Sequence, residues 1–219
     1  FISATVSAGL ADGKTIGQGL EEMDKIAAQT LDETFRTALS GDSKDYRESS
    51  SSLMFAFILA LILIYLILAA QFESFKDPFI IMLTVPLAIA GALIFMYAGG
   101  ITMNIFSQIG IIMLIGLVAK NGILIVEFAN QKQEGGENKM QAIRDAALQR
   151  LRPILMTSAS TVLGLIPLAF ATGEGANQRI AMGTAVVGGM LVSTFLTMYI
   201  VPAIYSYIST NRNVKTEIV

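Results

Sequence analysis

The 219-residue sequence contains no cysteine and no histidine. Without cysteine it has no disulfide framework, no thiol nucleophile and no thiolate metal site. Without histidine it lacks the commonest general base, the commonest metal ligand and the usual neutral-pH switch. Charge is scarce as well. Lys, Arg, Asp and Glu make up 15% of the residues, against roughly 25% in a soluble domain. The formal net charge of −2 leaves no nucleic-acid footprint. No HExxH or GxSxG motif is present, so an enzyme is the least supported class. No metal or cofactor is expected. What remains is 53% hydrophobic, with a mean hydropathy of +0.62, the balance of a membrane protein. No basic segment leads into a short apolar stretch, so no signal peptide is read. The sequence opens on Phe1, and its natural start is expected further upstream.

Composition changes sharply near residue 52. Residues 1–52 are polar and acidic. Residues 1–10 and 33–39 read as short strands. Between them, Thr15 is placed to cap a helix over about 16–29, with Ile16, Leu20, Met23 and Ala27 on one face. A β-α-β unit of this size buries little core alone, so it is expected to be part of a larger soluble domain. Beyond residue 52 come five stretches that approach or exceed the ~20 residues a helix needs to span a bilayer. They run over about 53–70, 79–98, 104–126, 154–171 and 180–207, and a tail follows from 209 to 219. The fold class read from this is an α-helical polytopic membrane protein.

Basic residues fall on one side of that model. Lys76, Lys132, Lys139, Arg144, Arg150, Arg152, Arg212 and Lys215 share it, whereas the opposite loops carry only Arg179. The basic side is therefore expected to be cytoplasmic, which puts residues 1–52 outside and the C-terminus inside. Residues 138–151 form an amphipathic stretch, read as a helix lying on the cytoplasmic surface or as a polar connector. Small residues four apart, as in Ala181–Ala185–Gly189, Ala88–Ala92 and Ala56–Ala60, allow close helix approach in lipid.

Lys120 is the charge well inside a span, in GLVAKNGILIVEFAN. Lysine at a helix centre costs roughly 2.5–3.5 kcal/mol on insertion scales, and such residues usually mark ion paths. The alternative is snorkelling, with the stem bending toward the basic side. Asn121 and Gly122 beside it favour a polar interior face. No acid sits mid-span, since Glu73, Asp77 and Glu127 lie at span ends. The counter-charge is therefore expected on helices outside this sequence. The fourth span begins RLRPILMTSAST, with Arg150 and Arg152 at its mouth and Thr157, Ser158, Ser160 and Thr161 beyond. These hydroxyls either hold water and relay protons or bond their own helix carbonyls.

The segments GLVAKNGILIVEFAN at 116–130, RLRPILMTS at 150–158, QFESFKDPFIIMLTVPLAIAGAL at 71–93 and GTAVVGGM at 183–190 resemble the resistance-nodulation-division superfamily, in its hydrophobe/amphiphile efflux branch. The resemblance covers 53–207, and residues 1–52 look like the end of that family's periplasmic porter domain. It implies a five-helix half-bundle, helices eight to twelve of twelve, with a small α/β fragment of the porter domain. It implies a homotrimer in the bacterial inner membrane that expels amphiphilic compounds against a proton flow, with a periplasmic adaptor and an outer-membrane channel as partners. By the same resemblance Lys120 matches a lysine that pairs with two intramembrane aspartates on the missing half. Arg150 and Thr157 match its relay residues. Apart from the resemblance, the polar residues Asn121, Ser158 and Thr161 around them are read as supporting groups. Two other readings stand beside this one: a non-transporting structural membrane subunit, and the metal-exporting branch of the same superfamily.

Overall fold

In the computed structural model, the described residues are 3–11, 14–32, 34–173 and 175–210. Seven helices follow in order: α1 Ile16–Thr30, α2 Asp42–Phe72, α3 Lys76–Met82, α4 Thr84–Ala98, α5 Ile105–Glu134, α6 Lys139–Ala169 and α7 Ala176–Ile208. Five helical stretches are long and apolar enough to cross a membrane: Ser52–Phe72, Lys76–Ala98, Ile105–Glu134, Lys139–Ala169 and Ala176–Ile208. They match the five expected spans in number and order.

Local chemistry accounts for several boundaries. Thr15 caps α1 as expected, its hydroxyl accepting from the Gln18 amide at 3.3 Å while the Gln18 side chain accepts from the Thr15 amide. Asn104 and Ser107 make the same reciprocal pair at the start of α5, both bonds at 2.9 Å. The second span is divided at Leu83. Pro86 has no N–H to offer the Met82 carbonyl four residues earlier, and its ring crowds that turn.

Three expectations change. Neither stretch read as a strand forms one: described residues 3–11 and 34–40 carry no strand, and residues 1, 2 and 33 lie outside the described set. A strand needs a neighbour to receive its N–H and C=O groups, and none of the described residues supplies one. The compositional break at residue 52 is not a structural break, because α2 runs through it as one helix. The amphipathic stretch 138–151 is likewise not a separate element. It continues into the fourth span as α6, 31 residues long. At 1.5 Å per residue α6 is about 46 Å long, well beyond a ~30 Å hydrocarbon core, so its charged first half extends past the apolar slab.

Helix α7 is the spine of the bundle and packs against α4, α5 and α6. Its small residues permit this. Ala181 and Ala185 are fully buried, and so are Ala88 and Ala92 on α4. A Cβ added at Gly183 would lie 2.6 Å from the Ala169 backbone nitrogen. One added at Gly91 would lie 2.6 Å from the Val192 Cβ. By contrast, Ala56 and Ala60 on α2 are only half-buried, and Phe55, Ile58, Ile62 and Ile67 on that helix are exposed. The interior holds two apolar clusters. One, around Ile80, Ile81, Ile125, Val126 and Val201, lies toward the basic end. The other, around Ala88, Leu114, Val118, Val186 and Met190, lies toward the opposite end.

Candidate functional site

Lys120 lies midway along α5, about 21 Å from either end at 1.5 Å per residue. Its side chain is on the exposed surface of the bundle. Among the described residues its ammonium group has no hydrogen bond or ion pair. Glu127, seven residues or about 10 Å further along the same helix, accepts from Gln131 at 3.0 Å. A charge in the middle of an apolar span thus has no partner among the described residues.

The neighbouring residue points the other way. Asn121 is 2% exposed and donates its amide to the Ser158 hydroxyl at 3.2 Å. Thr194 of α7 donates to the same oxygen at 3.1 Å. Three helices thus meet through one polar knot, set between the two apolar clusters. Asn121 and Ser158 were legible as polar mid-span residues. Thr194 was not, because a threonine in a glycine- and alanine-rich span reads as ordinary packing.

The other hydroxyls of α6 behave locally. Thr157 donates to the Ile154 carbonyl at 3.2 Å, and Thr161 to the Thr157 carbonyl at 2.9 Å. Thr157 is exposed, like Lys120. Arg150 stacks its guanidinium 4.4 Å from the centroid of the Phe128 ring. Its Nε is buried with no hydrogen-bond partner among the described residues. Lys132 lies 5.8 Å from the same ring and pairs with Glu137 at 2.8 Å. The chain therefore brings Asn121 and Ser158 together. It leaves Lys120, Arg150 and Thr157 without bonds to one another.

A second polar cluster escaped the sequence reading. At the basic end Asp77 is 2% exposed. Its Oδ2 accepts from the Asn130 amide at 3.1 Å, and its Oδ1 from the Ser209 hydroxyl at 3.2 Å. The Tyr205 hydroxyl donates to the Asn130 carbonyl oxygen and accepts from the Gln133 amide at 2.7 Å. Just outside, Lys139 donates to the Ser209 carbonyl at 3.0 Å and Lys76 to the Thr210 hydroxyl at 3.3 Å. The one available signal was the pair Asn130 and Gln133, three apart on one helix face.

A helical bundle with apolar outer surfaces and a polar knot at mid-depth defines a multi-pass membrane protein. The sequence model of the AcrB/AcrD/AcrF family matches residues 1–209, and the chain belongs to that family, within the resistance-nodulation-division superfamily. It is 40% identical over 217 residues to an uncharacterized transporter of Haemophilus influenzae, covering 96% of this chain and 21% of that protein. It is 38% identical over 199 residues to the toluene efflux pump membrane transporter TtgB of Pseudomonas putida, covering 91% and 19%. It is 39% identical over 196 residues to the multidrug resistance protein MdtF of Escherichia coli, covering 89% and 19%. The chain spans about a fifth of the length of these relatives.

Proposed function

We propose that this chain is the C-terminal membrane portion of a proton-driven exporter of hydrophobic and amphiphilic compounds in the bacterial inner membrane. The observation that carries the reading is Lys120, a mid-span ammonium without a partner among the described residues, beside the Asn121–Ser158–Thr194 knot. A charge placed mid-span is costly unless an opposite charge answers it. The companion half of the bundle supplies it as carboxylates. When those carboxylates are ionised, Lys120 is held against them. When a proton neutralises one, the attraction falls and the lysine turns toward polar partners of its own half such as Thr157, with Arg150 as a further member of the relay. A local charge change then biases a two-state element, and helix repacking drives the periplasmic domain. Residues 1–52 belong to that domain, the basic ends and the C-terminus face the cytoplasm, and the working unit is a trimer joined to a periplasmic adaptor and an outer-membrane channel. The names of TtgB and MdtF, which speak of toluene efflux and multidrug resistance, support the substrate class.

The test is Lys120→Met in the assembled transporter. Export and resistance fall to the level of cells lacking the pump, while membrane expression is unchanged. Full resistance in that variant contradicts the relay.

A further inference from the structure

The Asp77 cluster has no part in the coupling scheme, yet it is the most completely buried polar assembly in the described bundle. Asp77, Asn130, Gln133, Tyr205 and Ser209 are each 5% exposed or less. They come from α3, α5 and α7 and the residue capping α7. Each bond crosses between elements, and the partners lie 53 to 132 residues apart in the chain. Opening it would strand several polar atoms away from water, each left without its partner. Around it the packing has little slack: Ile80 and Ile81 are fully buried, and a Cβ at Gly122 would already press on the Ile81 side chain at 3.2 Å. At mid-depth, among the described residues, α5 is tied by a single side-chain bond, Asn121 to Ser158 at 3.2 Å, and Lys120 adds none. Movement of α5 therefore breaks fewer bonds at the Lys120 level than at the basic end.

We propose that the Asp77–Asn130–Tyr205–Gln133–Ser209 cluster is a permanent clasp, staying closed through the transport cycle and fixing the pivot about which the Lys120 level of α5 moves. Asp77 is then a positioning residue, acting on Lys120 through the seating of α5. The pivot rests on the switching role given to Lys120; the permanence of the clasp does not.

The experiment uses the assembled transporter in proteoliposomes, with any cysteines outside these residues replaced. Asp77 and Ser209, whose side chains are bonded at 3.2 Å, are changed together to cysteine, disulfide formation is verified by mass spectrometry, and export is compared after oxidation and after reduction. A permanent clasp gives a ratio of oxidised to reduced rates at or above unity, because the disulfide substitutes for the lost bonds. A clear fall on oxidation overturns the proposal. In parallel, Asn121 and Ser158 are changed to cysteine. Oxidation there halts export if the mid-level must move, and undiminished export contradicts the switching role while leaving the clasp standing. Should the Asp77 and Ser209 pair fail to insert, spin labels on exposed Phe79 and Tyr207 read the α3–α7 distance with the clasp intact. An unchanged distance under an imposed proton gradient supports the clasp, and a shifted one overturns it.

Discussion

The two buried polar clusters of this bundle differ in how completely the chain satisfies them. At the basic end, Asp77 and its four partners close on one another within three helices. At mid-depth, Asn121, Ser158 and Thr194 are bonded, but Lys120 beside them is left open on the bundle surface. A closed network fixes geometry, because any change orphans a buried group. An open charge invites a partner, because leaving it bare is costly. The first cluster is built to hold, and the second to respond.

That contrast is broken most severely by Asp77→Ala. It orphans the Asn130 amide and the Ser209 hydroxyl, at ~1–3 kcal/mol each. The detergent-solubilised transporter should lose several degrees of thermal stability, read by fluorescence-detected size exclusion. Gly183→Ala tests the spine that both clusters share. Its new methyl group presses on the Ala169 backbone, and overpacking of this kind costs ~1–3 kcal/mol. A drop in stability equal to that of Gly164→Ala, where a Cβ meets open space, would contradict the close α6–α7 packing. Ser158→Ala should destabilise by about 1 kcal/mol, since two donors lose one acceptor. Thr157→Val removes only a bond to its own helix and should stay within about 0.5 kcal/mol of the parent. If Thr157 belongs to the relay, that variant nevertheless lowers proton-coupled export. The smallest effect is expected at the exposed pair of Glu22 and Lys25, 2.8 Å apart on α1. The hydrogen bond from Lys25, and then its charge, hold the Glu22 carboxyl below its ordinary pKa. The stabilisation tied to that lowering exists above the unfolded-state pKa and fades as pH falls through the folded-state one. Because the pair is fully solvated, Lys25→Met should leave both melting temperature and the pH profile of export unchanged.

The same contrast explains what the sequence disclosed. The five spans were visible because apolar runs of this length have few other uses. Lys120 was visible because it is a lone charge in such a run. Asp77 sat in plain view at a span end, where an acid is unremarkable. Only the fold brings it to Asn130 and Ser209, 53 and 132 residues away. The strands expected in the first 40 residues failed for a related reason. Alternation and β-branched residues mark what could pair, but pairing needs a neighbour that none of the described residues provides. The merging of the amphipathic stretch with the fourth span was hidden by the change from a charged to an apolar composition, which α6 runs through without a break.

The most direct measurement is zero-length cross-linking of the assembled transporter with a membrane-permeant carbodiimide, which joins an amine to a carboxylate in contact. Mass spectrometry of the digested product should find the peptide carrying Lys120 joined to an aspartate or glutamate from outside residues 1–219. Coupling of Lys120 solely to an acid of its own segment, such as Glu127, in a transporter that still exports would contradict the account.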